Sequence, residues 1–369
     1  MIKARMFVVN EDSLNTTVAS NIASIYMPDL TGPQWVKTIS DIMADLLQVQ
    51  IGDYIFLWQT KNGDEKSKIH GVYRAISKPY FDNSNPLDTC PFKIHIEKAY
   101  DFENPIEEYE LLNCPYIKQS LWTIMGKKVA NKPRGTSPLS LDEMEAIIKL
   151  LIGANPTYRF IPFDSSRIIA VANPLKIDYS LNVPNTAPSR IATNVNTVSY
   201  FDSSYDVLYE KVLETIFNME FANHNATFFA QLGINIEKVV WYANYLPYSL
   251  EQSEMDYVVI ESEDGINFSK IFVLEFLVGN PDESHIKRSA MYSKWVNEAM
   301  ALGTNFAEPI IICRNSVDFI NGETAPTKVA KIANLNTLIS TNIQKYNTKD
   351  IKIYKYNFSP TGGSFTRKR

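Results

Sequence analysis

The sequence has little of what most readily named chemistries require. Only three of its 369 residues are cysteine, Cys90, Cys114 and Cys313. Their wide separation argues against both a disulfide framework and a cysteine-based zinc site, and it fits a reducing cytoplasm. The four histidines, His70, His95, His224 and His285, show no H-E-x-x-H or comparable ligand spacing, so a zinc hydrolase is disfavoured. No Walker-type glycine-rich loop and no G-x-S-x-G string occurs, which removes support for a nucleotide-driven motor and for a serine nucleophile elbow. No apolar run approaches the ~18 residues of a bilayer span. The opening MIKARMFVVN lacks a long apolar stretch followed by a small-residue cleavage site, so the expectation is a cytoplasmic protein that neither crosses a membrane nor is secreted. A net charge of −5 gives no global attraction to nucleic acid, and such a partner would need a local basic surface.

What is present is ordinary globular material, 45% hydrophobic and 21% charged, in a chain longer than the roughly 250 to 300 residues at which a single core stops growing. Two domains are therefore expected. Over residues 1–153, short β-like runs alternate with turn clusters, which predicts an α+β domain built on a small twisted barrel. Met6 to Asn10 reads as an opening strand, Ser13 as the cap of a short helix running toward Tyr26, and Trp35 to Leu47 as an amphipathic helix. The segments QIGDYIFLWQT and IHGVYRAIS form a predicted hairpin, with a turn at Gly52 and Asp53 leading into its first strand. PFKIHIEKAY adds a strand, and LSLDEMEAIIKLL a helix starting at Ser140 or Asp142 and ending at Gly153. Residues 154–203, rich in Pro, Asn, Ser and Thr, read as a linker. From 204 to 369 the pattern predicts an α/β sheet flanked by helices. Val207, Leu208, Val212, Leu213, Ile216 and Phe217 share a helical stripe, and an antiparallel hairpin turning at Glu263-Asp264-Gly265 is followed by a crossover helix and the strand EPIIICR. The ending FTRKR reads as a mobile basic tail.

One feature of the second half stands out chemically. Glu275 lies inside the otherwise apolar run IFVLEFLV, and Asp256 lies near the start of the preceding strand. A carboxylate on a strand buried from both faces is costly unless its charge is compensated. A divalent metal held by Asp256 and Glu275 would do so, and Mg²⁺ favours such oxygen ligands. Glu210 and Glu214, one turn apart on the preceding helix, offer a third ligand. The bland readings stay open beside this one: Glu275 paired with an arginine or lysine or lying at a sheet edge, Asp256 in a turn, and the helix glutamates on a solvated face.

The order of a helix with Glu210, then SEMDYVVIES, then a strand carrying Glu275, then a helix with Tyr292 and Trp295, resembles the core of the PD-(D/E)XK nuclease superfamily over Ser204 to Arg314. The resemblance implies a restriction-endonuclease-like fold in which Asp256, Glu275 and the supplementary Glu210 are catalytic and Asp256 and Glu275 hold Mg²⁺ or Mn²⁺. Leu277 stands where the family has a lysine, and Lys287 or Lys270 would have to supply that cation. Arg288 suits phosphate binding better, since its guanidinium does not deprotonate.

The segments MFVVNEDSL, QIGDYIFLWQT and KIHGVYRAISKPYFDN resemble the EVE and YTH branch of the PUA-like superfamily, whose members hold a modified base in an aromatic pocket. By that resemblance Tyr26, Trp58, Tyr73, Tyr80 and Trp122 are the aromatic candidates, with tyrosine at 26 where YTH domains carry tryptophan. Asn10 and Ser13 would hydrogen-bond the base edge, and Asp82 would accept from an exocyclic amine. Read as a barrel, the same segments make Trp58, Tyr73 and Trp122 core side chains instead. The basic stretch with Lys127, Lys128, Lys132 and Arg134 is either a phosphate contact or a solvated loop. Together the two resemblances imply a modification-dependent restriction endonuclease acting on DNA as a homodimer. The alternative is a catalytically inactive nuclease-fold protein that reads modified DNA or RNA.

Overall fold

The computed structural model describes residues 3–28, 35–60, 66–85, 87–114, 135–182, 194–248, 253–301, 303–314 and 325–369. The chain divides into two compact units, the first taking in Ile2–Lys176 and Ala187–Thr197 and the second Ile177–Thr186 and Val198–Arg369. No helix among the described residues is long and apolar enough to cross a membrane.

In the first unit, strand β1 (Ala4–Val9) leads into helix α1 (Glu11–Ser20), strand β2 (Ile22–Ile25) and helix α2 (Trp35–Leu47). Strands β3 (Tyr54–Gln59), β4 (Lys68–Ala75), β5 (Tyr80–Phe81), β6 (Phe92–Lys98) and β7 (Ile106–Glu107) follow. Helix α3 (Glu108–Asn113), strand β8 (Thr136–Leu139) and helix α4 (Leu141–Ala154) close the series. The sheet runs β2-β6-β4-β3-β1-β8, with β5 on β6 and β7 on β4, in the curled half-barrel of a mixed α+β fold. β1 and β3 are parallel, whereas β3 and β4 form the expected antiparallel hairpin. Asp53 fixes the turn before β3, where Gly52 takes φ +95°: its carboxylate accepts the N–H groups of Lys3 and Gln50, both at 2.9 Å, and pairs with the Lys3 ammonium at 3.0 Å. Met6, Phe56, Trp58, Val72, Leu139 and Ile147 are among the residues that fill the space between sheet and α4.

The cap of α1 is Asn10 rather than Ser13. Asn10 Oδ1 accepts the Ser13 N–H at 2.8 Å, and Ser13 Oγ accepts the Asn10 N–H at 2.9 Å, a reciprocal capping box. Both residues are good caps, and the helix starts at the earlier one because β1 ends there. Ser140 and Glu143 form the same box at the start of α4, which runs one residue past Gly153. The stretch expected as linker is, over residues 159–175, hydrogen-bonded along the first unit. Ile161 donates to the Ala99 carbonyl, Ile169 to Ile76 and Leu175 to Pro79, at 2.8–2.9 Å. Its Pro- and Asn-rich composition marks irregular backbone, and here three of its N–H groups are taken by carbonyls flanking the ends of β6, β4 and β5.

The second unit contains helices α5 (Glu210–Ala222) and α6 (Ala226–Ala230) and strands β9 (Val239–Tyr248), β10 (Ser253–Ser262) and β11 (Phe268–Leu277). Helix α7 (Glu283–Ala299), strand β12 (Ala307–Cys313), helix α8 (Ala325–Tyr346) and strands β13 (Lys352–Ser359) and β14 (Gly362–Arg367) complete it. The sheet order is β14-β13-β12-β11-β10-β9. β9, β10 and β11 are successively antiparallel, and α7 crosses over to bring β12 parallel to β11. Asp264 closes the β10–β11 turn by accepting from the N–H groups of Ile266 and Asn267 at 2.9 and 2.7 Å. Val207 and Leu208 lie ahead of α5 rather than in it, Val207 bridging to Phe201. The C-terminal segment is not a mobile tail. It forms β14, with Phe365 opposite Tyr356 and Arg367 opposite Tyr354, and Phe365 is its buried side chain between exposed Ser364 and Thr366.

Candidate functional site

In the second unit, the ladder between β10 and β11 reaches Tyr257 and Leu274, and one step beyond it stand Asp256 and Glu275. There the Asp256 carboxylate replaces a ladder bond, its Oδ2 accepting the Phe276 N–H at 2.8 Å. Glu275, on a strand apolar on both sides, is 2% exposed and is ion-paired to Arg288 of α7. Glu210, first residue of α5, faces the same space. Burial and the negative charge of Asp256 push its pKa up, opposed by Lys211, Arg288 and His285. Burial likewise raises Asp256, with Lys211, the Phe276 N–H and Arg288 opposing. Three acids and three basic side chains thus converge from α5, β10, β11 and α7.

Behind them lies Glu214, wholly buried, its carboxylate accepting from Lys211 Nζ at 2.6 Å and from Asn244 Nδ2 at 3.1 Å. Burial pushes Glu214 up to about 8, against the pull of Lys211. The Lys211 ammonium also sits 3.5 Å from the centre of the Tyr245 ring, a cation–π contact that holds it at this depth. Glu214 is therefore not on a solvated face. The i,i+3 spacing of Lys211 and Glu214 is the one sequence signal that pointed to their pairing.

The other predicted cations fall elsewhere. Lys287 is exposed, and it is the next residue, Arg288, that meets Glu275. Lys270 stands opposite Glu261, at the far end of β11. Leu277, at the position where the nuclease resemblance expects a lysine, is 3% exposed in an apolar cluster with Ile286, Ala290, Ile311 and Ile353. Mg²⁺ favours oxygen ligands in octahedral array, and the donor chemistry here is of that kind. The arrangement is not: Glu275 is engaged by Arg288, Asp256 by a backbone N–H, and no group of three or more His, Cys, Asp or Glu side chains gathers to hold a metal among the described residues. As they stand, these residues do not fit a bound divalent ion.

In the first unit the predicted base-binding residues separate. Trp58 lies in the core of the half-barrel. Tyr73 is buried, its ring 3.0 Å from where a Cβ on Gly71 would stand, and Gly71 itself takes φ +52°. Burial raises the Tyr73 phenol. Asn10 and Ser13 are bonded to one another in the α1 cap. Asp82 accepts from Lys93 and Ser84 at 2.6–3.0 Å, which holds its carboxyl down at about 2 with both oxygens engaged. Trp122, Lys127, Lys128, Lys132 and Arg134 lie outside the described residues.

Tyr26 is different. Its ring is 56% exposed directly after β2, in the alternating row that faces away from the core. The register carries that row across the sheet: Ser24 lies opposite Lys93, and Lys93 opposite Tyr80. Tyr80 stacks on His95 with ring centroids 5.2 Å apart, and the Tyr80 hydroxyl lies 3.1 Å from His95 Nε2. Tyr26, Tyr80, His95 and Lys93 thus share one outer face, and His95 and Lys93 escaped the sequence reading because alternation alone does not say which strands are neighbours.

No family model and no curated protein matches the sequence. Solved structures that match part of the chain include a hypothetical protein from Leishmania major, at 10% identity and a TM-score of 0.29, covering 42% of this chain and 97% of that one. A Pseudomonas syringae protein is 14% identical with a TM-score of 0.28, over 40% of this chain and 99% of its own. Human THYN1, solved in complex with 5-methylcytosine-containing DNA, is 10% identical with a TM-score of 0.26, over 40% and 97% respectively. Similarity at this level assigns neither activity nor ligand to this chain.

Proposed function

We propose that this chain is a DNA-binding protein that distinguishes a modified base through its first unit, and that its second unit keeps a nuclease-like frame for binding rather than cutting. The first part is supported by the segments resembling EVE and YTH domains, by the curled half-barrel they build, and by the exposed Tyr26 ring on the same outer face of the sheet as the Tyr80–His95 stack. An unstacked base needs aromatic faces in exchange for its lost neighbours, and that outer face offers them. The second part is supported by the order of helix, three antiparallel strands, crossover helix and parallel strand, with acids on its first helix and its second and third strands. The observation that carries binding over cutting is the seat of Leu277, buried in apolar contacts where hydrolysis would want a cation.

The test uses duplex oligonucleotides with and without 5-methylcytosine, the base in the THYN1 complex, in fluorescence anisotropy with Mg²⁺ or Mn²⁺ present. Tighter binding of the modified duplex, loss of that preference in Tyr26→Ala, and intact strands are expected. Equal affinity for both duplexes, or a preference for the matching RNA, overturns the base-reading half. Strand cleavage that Asp256→Asn abolishes overturns the non-cutting half and restores an endonuclease.

A further inference from the structure

Four acidic side chains, Glu210, Glu214, Asp256 and Glu275, cluster in the second unit, and each must be compensated in a region where Glu214 and Glu275 are out of water. Glu214 has Lys211 and Asn244. Glu275 has Arg288, and the two partners differ sharply in exposure: the carboxylate side chain is 3% exposed and the arginine side chain 45%. The arginine side chain therefore lies partly in solvent while its guanidinium meets the buried Glu275 carboxylate. A guanidinium stays charged at any working pH and offers five donors in a plane, so it can neutralise a buried carboxylate without changing protonation.

From this we propose that Arg288 is a built-in cation that stands in for a divalent metal at the Asp256–Glu275 pair, and that its presence is what keeps such a metal out. The inference rests on the nuclease-like reading of the second unit and deepens it, by naming the residue that makes the site metal-independent. The physical basis is exclusion. The side of the Glu275 carboxylate that the Arg288 guanidinium occupies is closed to a metal, and two cations within one small space repel. Removing the guanidinium leaves a buried carboxylate beside Asp256 and Glu210, an oxygen-only donor set of the kind hard divalent ions take.

The experiment measures Mn²⁺ binding by the full-length chain without DNA, through the loss of free-Mn²⁺ electron paramagnetic resonance signal and the shift in thermal midpoint. Wild type and Arg288→Lys are expected to leave the signal and the midpoint unchanged. Arg288→Gln is expected to melt lower than wild type, to recover several degrees with millimolar Mn²⁺, and to lose that response when Glu275→Gln is added. Mn²⁺ binding by wild type that Glu275→Gln removes overturns the proposal, and so does an Arg288→Gln protein that folds and ignores Mn²⁺. Should Arg288→Gln fail to fold alone, refolding with and without Mn²⁺ reads the same question, with recovery only in the metal expected. Because no DNA is present, these outcomes are independent of whether the first unit reads a modified base.

Discussion

Placing a lysine at position 277 is the sharpest test of where the structure puts Leu277. Its side chain packs with Ile286, Ala290, Ile311, Cys313, Ile339, Ile351 and Ile353 and is 3% exposed. A lysine held in that cluster, with its amine short of Glu275 on the same face of β11, must enter neutral. Depressing an ordinary lysine from about 10.4 to below about 7 costs about 4 to 5 kcal/mol at ~1.36 kcal/mol per unit. The unpartnered amine adds about 1 to 3 kcal/mol. Leu277→Lys should therefore destabilise the second unit by about 5 to 8 kcal/mol, a large part of the ~5 to 15 kcal/mol that holds a domain together. At ~2 to 4 °C per kcal/mol the thermal midpoint falls by roughly 10 to 32 °C. Urea unfolding measures it, and the deficit should shrink as pH rises toward about 10, because a lysine with a depressed folded pKa is penalised only while the unfolded chain is protonated. A Leu277→Lys protein within about 2 kcal/mol of wild type, or one that gains Mg²⁺-dependent cleavage of DNA, would refute the placement of this side chain in the core.

Three further outcomes are expected. Glu214, raised by burial to about 8, favours its proton in the fold, so its contribution is complete below its ordinary range near 4.5 and is lost as pH rises through about 8; Glu214→Gln should flatten that slope in urea midpoints taken from about pH 5 to about pH 9. Trp58→Ala should cost about 3 to 5 kcal/mol by leaving a core cavity, and anisotropy should show modified and unmodified DNA losing affinity together, whereas a selective loss would return Trp58 to the base site. Asn10→Ala removes half of the α1 capping box and should cost about 1 kcal/mol in thermal melts, with the preference between the two duplexes unchanged.

Much of the local structure was legible in the residues themselves. The stripe from Trp35 to Leu47 coincides with α2, and the capping signals at Ser140 and the Asp264-Gly265 turn fall where the chain uses them. Errors arose where two local signals competed or where partners were distant. Asn10 and Ser13 both qualify as caps, and the end of β1 decided between them. FTRKR reads as a solvated tail until β13 lies beside it, and residues 159–175 read as linker until Ala99, Ile76 and Pro79 offer them carbonyls. At the site, the lone glutamate in IFVLEFLV is legible as an anomaly, and the i,i+3 spacing of Lys211 and Glu214 as a pairing signal.

By itself the sequence determined the periodicities that make strands and helices, and it required that a carboxylate in a buried strand be compensated, because periodicity and desolvation are local properties of the chain. Which group compensates Glu275 was decided only in three dimensions. The crossover helix α7 carries Arg288 back over β11, while Lys287 turns to solvent and Leu277 sinks into the core. The same holds for the first unit, where alternation marks Trp58 and Tyr26 alike as strand-associated aromatics, and only the pairing of strands shows that one fills the half-barrel and the other faces water.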